Sequence, residues 1–321
     1  MVKISVIIPC FNVTNLIDNC LKSLDNQEFR DFEVILVDDC STDNTFDYLQ
    51  SQQDKYSFKI IVLRNEVNSG PSFSRKYGAE NANSVYIAFC DADDTYDQDF
   101  LINIHQNIQL NQPDLVAVGY KVLLGNNRII NHQFTEKDKL SIDKESAFTM
   151  GITSLCCLCL KKQLFLSLNH PNLRNGEDMA IIPVLLAKAK VINVLSGIPY
   201  NYINRKGSAS NTANRKVVLS LLDSFKYVEE NMPSEYKVFV EYLGIQRILY
   251  GALLNEFKHT SSYNFAKDIV EEFKLKYPNW KQNKYFKTIS LSKRFFICLV
   301  HYRLYFLAYM FSRIHRILSN G

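Results

Sequence analysis

No GxGxxG turn follows the first strand-like run of these 321 residues, and no GxxxxGK(S/T) loop occurs anywhere in them. The first absence argues against a dinucleotide oxidoreductase, the second against a P-loop nucleotide hydrolase. Internal repeats, low-complexity segments and Gly/Ser linkers are missing as well. The six histidines are scattered, and Cys10, Cys20, Cys40, Cys90, Cys156, Cys157, Cys159 and Cys298 show no paired metal-ligand spacing. A zinc site is therefore not expected, and the cysteines read as small buried hydrophobes in a reducing compartment. No basic leader or cleavage site precedes the strand-like run Ile4 to Ile8, so no signal peptide is expected. Acids are absent from Lys281 to Gly321, where eight Lys and Arg fall, leaving 29 bases against 33 acids in the rest of the chain. The net charge of +4 thus belongs to the tail, and no nucleic-acid partner is expected.

What is present is the composition of an ordinary globular protein, 47% hydrophobic and 22% charged. Strand-like runs at about 3–9, 32–38, 59–63, 85–90 and 114–118 alternate with helical signals. Leu16, Ile17, Cys20, Leu21 and Leu24 repeat at helical spacing, a second helix follows Asp43, and Pro71 suits a first helical position. A fourth helix is expected from about Asp97 to Leu110, stopping before Pro113. The alternation implies an α/β fold, a mostly parallel sheet with helices on both faces. Residues 119–210 read as mixed, with a hairpin around Asn126-Asn127, a buried strand in TSLCCLCL, a helix from Asp178 to Lys188 and strands near 190–195 and 199–204. Beyond Asn214 only helix is expected. The domains so drawn are 1–213 and 214–321.

The segment Phe89-Cys90-Asp91-Ala92-Asp93-Asp94 places three carboxylates at the carboxyl end of a predicted strand, where open α/β sheets bind ligands. Such a cluster suits a hard divalent cation that keeps positions for substrate phosphates. The other reading is a helix start, with Asp93, Asp94 or Thr95 as the cap. Similar groups follow the other strands: Pro9-Cys10-Phe11-Asn12, then Val37-Asp38-Asp39-Cys40-Ser41-Thr42-Asp43, then Asn68-Ser69-Gly70-Pro71 leading to Arg75. In a parallel sheet these ends converge, offering an aromatic face, carboxylates for a base or ribose, a guanidinium for phosphate and a cation site. That is equipment for a nucleoside diphosphate.

The ordered set SVIIPCFN, VDDCSTDNT, NSGPSFSRKYG, FCDADD and NGEDM resembles the family 2 glycosyltransferases with the Rossmann-like GT-A fold, over roughly residues 3–213. The resemblance implies a donor site of Pro9, Phe11, Asn12, Asp38, Asp39, Arg75 and Asp91. It implies Asp93 as the ligand of Mn²⁺ or Mg²⁺, Asp178 as catalytic base and Glu177 on the acceptor side. Arg205 and Ser208 lie in a segment that in many relatives closes over the diphosphate. Phe11 stands where many relatives carry Tyr, and Cys40 where Gly is usual, which leaves that loop less free. Other readings of these residues stand beside the implied ones. Glu177 and Asp178 also suit a helix dipole, Asp38 or Asp39 a turn, Phe11 the core, and Arg75 a surface ion pair.

The chemistry expected is inverting, metal-dependent transfer of a sugar, from a UDP-sugar in the first place, to a hydroxyl of a glycan or lipid-linked acceptor in cell-surface polysaccharide synthesis. A bound metal stabilises the leaving diphosphate, and one carboxylate deprotonates the acceptor. The alternatives are a non-catalytic nucleotide-sugar-binding scaffold of the same fold and a sugar-nucleotide nucleotidyltransferase. The run from Arg294 to Ile317 is too interrupted to span a bilayer. It suits a helix lying on an anionic membrane, placing the protein at the cytoplasmic face of the plasma membrane. The plainer alternative is a helix packed on the catalytic domain or on a second subunit in a homo-oligomer.

Overall fold

The computed structural model describes residues 3–125, 128–173, 175–205 and 215–320, with side chains described as far as residue 315. The chain divides into two compact units, Met1–Lys206 and Gly207–Gly321. The boundary expected near residue 213 lies outside the described residues, as do Asn126, Asn127 and Ser208.

The first unit opens with β1 (Ile4–Cys10), α1 (Ile17–Asp25), β2 (Phe32–Asp38), α2 (Thr45–Gln50), β3 (Lys59–Arg64), α3 (Pro71–Glu80) and β4 (Tyr86–Phe89). It continues through β5 (Thr95–Tyr96), α4 (Phe100–Asn111), β6 (Leu115–Ala117), β7 (Tyr120–Leu124), β8 (Ile129–His132) and α5 (Lys144–Thr149). Then come β9 (Leu158–Lys161), α6 (Lys162–Leu166), α7 (Glu177–Lys188), β10 (Ile192–Val194) and β11 (Tyr200–Asn204). Seven strands form one sheet in the order β10-β6-β9-β4-β1-β2-β3. Every residue of β2, and all but one of β1, is buried. Since alternate side chains leave opposite faces of a strand, both faces of the sheet centre are covered. Ile17, Cys20, Leu21 and Leu24 form the buried stripe of α1. Gly78 lets α3 approach the sheet, because a Cβ there would stand 2.5 Å from Ile7 Cγ2.

Two expectations change. Helix α4 begins at Phe100 rather than near Asp97, with Asp99 at its N-cap making no side-chain cap bond, so Asp93, Asp94 and Thr95 do not cap it. The cysteine-rich strand is shorter than TSLCCLCL: a 3₁₀ turn covers Leu155–Cys157 and β9 starts at Leu158, antiparallel to both β4 and β6. All eight cysteines are free, and six of them are buried. The strands expected on either side of Asn126-Asn127 are β7 and β8, paired antiparallel, and the strand expected near 199–204 is β11; with the two-residue β5 they form a second sheet, β5-β11-β7-β8, which was not expected as a separate sheet.

The second unit is helical in its described part: α8 (Arg215–Asn231), α9 (Lys237–Gly244), a π-helical stretch Ile245–Ala252, α10 (Leu253–His259), α11 (Asn264–Lys276), α12 (Leu291–His301) and α13 (Tyr305–Asn320). Its core includes Ile245, Leu253, Phe257, Trp280 and Phe296. No helix among the described residues is long and apolar enough to cross a membrane.

Candidate active site

The loops after β1, β2 and β3 are tied together by their own side chains. Thr42 N–H donates to Asn12 Oδ1 at 2.9 Å, and Asn12 Nδ2 donates to Thr42 Oγ1 at 3.1 Å. Asn12 is thus a staple between two loops. Asp38 is fully buried, accepts the Ser41 N–H and pairs with Arg64 Nε at 3.2 Å. This corrects its expected donor contact, because no part of the carboxylate reaches the surface and its work is the turn. Asp39 differs. Its Oδ1 accepts from Asn65 Nδ2 at 2.7 Å and from Ser69 N at 2.8 Å, while Oδ2 accepts from Gly70 N at 2.7 Å. A carboxylate offers about four lone-pair positions, so three of those of the buried Asp39 are taken within the loops. Phe11 is 45% exposed beside these loops, which removes its core reading. Pro9 is half-buried near the end of β1, in register with Val37.

The three acids after β4 have separate tasks. Asp91 Oδ1 accepts from Arg75 Nη2 at 2.7 Å and is partly exposed. Asp93 Oδ2 accepts from Arg205 Nε at 2.6 Å. Asp94 is buried, accepting the Tyr200 hydroxyl and, at 2.8 Å, the Ile203 N–H, and burial together with Asp91 pushes its carboxyl up to about 8. It therefore anchors β11, the strand that delivers Arg205. No group of three His, Cys, Asp or Glu able to hold a metal occurs among the described residues. What remains fits the other way of holding Mg²⁺ or Mn²⁺, by one or two carboxylates completed by substrate phosphates and water. Asp93 is partly exposed and offers hard oxygen donors to such an ion.

Arg75 lies within α3 and is buried, so its expected contact with a donor phosphate gives way to another task. Its Nη2 meets Asp91, its Nη1 meets Glu177 Oε1 at 2.7 Å, and Asp178 Oδ1 stands 3.8 Å from Nη1. Burial opposes the charge, but Asp91, Asp178 and Glu177 together hold the guanidinium well above its ordinary range. The surface ion-pair reading fails too, since this is a buried bridge between the β4 loop and the first turn of α7. Glu177 is buried on Arg75, which corrects its expected place on the acceptor side.

Asp178 is set apart from its neighbour. Gly176 takes φ +79° ahead of α7, a conformation that other residues adopt at a cost. The chain can then turn so that Asp178 Oδ2 accepts the Leu155 N–H at 3.2 Å, while Oδ1 has no hydrogen-bond partner. The side chain is 23% exposed. Burial pushes its carboxyl up to about 7 against the pull of Arg75, with Glu177 and Asp91 adding to the rise. A carboxylate of that proton affinity, with one unsatisfied oxygen, is chemically fit to take a proton from a hydroxyl near neutral pH.

Tyr200, Leu155 N–H and the anchoring role of Asp94 were not singled out in the sequence. Tyr200 and Tyr202 alternate along β11, a signal that could have drawn attention to that strand.

The family model described as Glycosyl transferase family 2 matches residues 5–165. A poly(ribitol-phosphate) beta-glucosyltransferase of Bacillus spizizenii is 30% identical over 208 residues, covering 64% of this chain. The chain spans about a third, 32%, of that relative's length. The glycosyltransferase GlyG of Streptococcus pneumoniae is 26% identical over 289 residues, covering 84% of this chain and 92% of its own. Among solved structures, TarS 1–349 of S. aureus in complex with UDP aligns with a TM-score of 0.73 at 18% identity, covering 98% of this chain and 91% of that one. This likeness shows a shared fold.

Proposed function

We propose that this chain, which belongs to glycosyl transferase family 2, transfers a sugar from a UDP-sugar to a hydroxyl of a glycan or lipid-linked acceptor in cell-surface polysaccharide synthesis. The observation that carries the reading is Asp178, a 23% exposed carboxylate whose buried Oδ1 has no hydrogen-bond partner and whose raised proton affinity stands across Arg75 from the Asp91 end of the donor-side loops. Relatives named for poly(ribitol-phosphate) glycosylation and a structural neighbour solved with UDP support the substrate class.

Phe11 offers its ring to the base, and Asp39 holds the loops beside it. Asp91 keeps an exposed part for the ribose or diphosphate. Asp93 would hold Mn²⁺ or Mg²⁺ against the diphosphate, and the ion, when bound, neutralises charge developing on the leaving group. Arg205, paired with Asp93, supplies a second cationic group at the same place. The acceptor hydroxyl gives its proton to the Asp178 carboxylate, and its oxygen attacks the anomeric carbon from the side opposite the diphosphate. One displacement of this kind inverts the configuration, and it needs one base where glycosidases typically use two carboxyl groups. The protein is placed at the inner face of the plasma membrane, where a lipid-linked acceptor would be met.

The test is Asp178→Asn, assayed with a panel of UDP-, GDP- and dTDP-sugars and Mn²⁺. Transfer, or slow donor hydrolysis, should fall by about 100-fold or more while UDP binding by calorimetry is kept. Unchanged turnover would move the base elsewhere. A wild-type chain that binds no nucleotide sugar would end the proposal, and one that binds without turnover would be the non-catalytic scaffold.

A further inference from the structure

Helix α13 has two unlike faces. Tyr305, Ala308 and Ser312 are buried, Tyr305 lying near the rings of Phe257 and Tyr263. The other side presents Phe306, Leu307, Met310 and Ile314, which are 63%, 49%, 43% and 55% exposed. Spacings of one, four and eight residues gather these four into one stripe along the helix. The stripe is continued on α12 by Phe295, exposed as well and close to Phe311 of α13, with ring centroids 6.2 Å apart. Scattered exposed apolar residues need no explanation, but a contiguous patch of large ones marks a surface that meets something.

The charge of this part of the sequence, with Arg313 beside the stripe, points to what it meets. From Lys281 onward eight bases fall without one acid. Arg303 is paired with Glu271 at 3.0 Å, whereas Arg313 is exposed on the stripe itself. We propose that this face of α13, extended by Phe295, docks into the interfacial layer of an anionic membrane, with the helix lying in the membrane plane. A second copy of the chain fits less well. A twofold contact through the stripe would bring Arg313 toward its own counterpart, with no acid in this part of the chain to separate them. Anionic headgroups supply the missing negative charge while the Phe, Leu, Met and Ile side chains enter the boundary of the acyl region. The inference specifies the surface behind the peripheral placement proposed above, and it does not depend on the transfer chemistry.

Flotation of the full chain with vesicles of phosphatidylcholine alone, and of equimolar phosphatidylcholine and phosphatidylglycerol, tests this. The wild type should float with the second kind and not with the first. Leu307→Gln combined with Met310→Gln should cut the bound fraction by about tenfold. Because both side chains are exposed, the melting temperature should not change. Arg313→Gln should weaken binding and make it less sensitive to salt. Failure of the wild type to bind the anionic vesicles, or binding by the double variant equal to wild type, would overturn the proposal. A dimer in sedimentation that the same double substitution abolishes would also overturn it, by making the stripe a self-interface. UDP binding, measured on the same samples, judges the transferase reading separately. Its absence from the wild type would strike that reading and leave the vesicle result to decide the role of the stripe.

Discussion

Arg75 Nη1 stands 2.7 Å from Glu177 Oε1, a buried ion pair that joins the middle of α3 to the first turn of α7. The same guanidinium holds Asp91 with its other nitrogen, so one residue fixes the distance between the donor-side acid loop and the candidate base. Removing it leaves the buried Glu177 carboxylate, with the part-buried Asp178 beside it, without a counter-charge. Arg75→Ala should therefore lower the unfolding free energy by about 3–5 kcal/mol. Urea denaturation would check this, and a loss within error of zero would show that the bridge contributes no stability.

The rate should follow the ionisation of Asp178. The base works deprotonated, and its carboxyl is pushed up to about 7. The value of kcat/KM should then fall by about tenfold per pH unit below that point and level off above it. A profile flat down to the ordinary carboxylate range would remove Asp178 from the proton transfer.

Stability should show the opposite sign. A folded-state proton affinity above the unfolded one means that ionised Asp178 costs stability, and the cost is absent below about pH 4 and complete above the folded value. Asp178→Asn should accordingly gain stability relative to wild type as pH rises through about 7. Melting curves at acid and alkaline pH give the comparison.

Asp93 and Asp94 should separate cleanly. Asp93→Ala should abolish Mn²⁺-dependent UDP binding with little change in melting temperature, because the residue is partly exposed and joined to exposed Arg205. Asp94→Ala should cost about 1–3 kcal/mol, because it strands the Ile203 N–H and the Tyr200 hydroxyl in a buried place. The two results exchanged would reverse the assignment of roles.

Cys40 sits at φ 55°, where a side chain is strained. The left-handed conformation costs a non-glycine residue about 1–2 kcal/mol, and glycine returns part of that gain through its freer unfolded chain. Cys40→Gly should thus stabilise by less than about 1 kcal/mol, while Cys40→Val should destabilise. Equal effects from the two would mean that backbone strain there is already relieved.

Much of the first unit was readable in the chain because its strands are buried on both faces and therefore write continuous apolar runs. Ile4–Cys10 and Phe32–Asp38 fall almost where expected. Pro71 marked the start of α3 for a local reason, its fixed φ. In the second sheet the hairpin β7–β8 and strand β11 were readable, but not that they join one another and the two-residue β5: β7 is half-buried and β8 exposed throughout, so no alternation marks a shared face. In the site, the residue types were legible but their partners were not. Nothing local tells Asp38 from Asp39; the difference arises from Arg64, Asn65 and the Ser69-Gly70 turn, which only the fold brings near. Arg75 followed the same rule, as its partners lie 16 and 102 residues away.

The antiparallel placement of β9 has a consequence for how the first unit comes together. Strands β3, β2, β1 and β4 are linked by short helical crossovers, and β10 pairs with β6, but these two groups meet only through Leu158–Lys161. Until that segment is in place, β4 and β6 each present an unpaired edge, a template for wrong association. Because the keystone strand comes more than 40 residues after β6 in the chain, its pairing is non-local and slow to form. During synthesis, the acids after β4 are thus made early, but the sheet that holds them closes late. A nascent chain stopped short of Leu158 would hold the β3-β2-β1-β4 half-sheet with an open β4 edge, and β6 without either neighbour, because β10 is made later still.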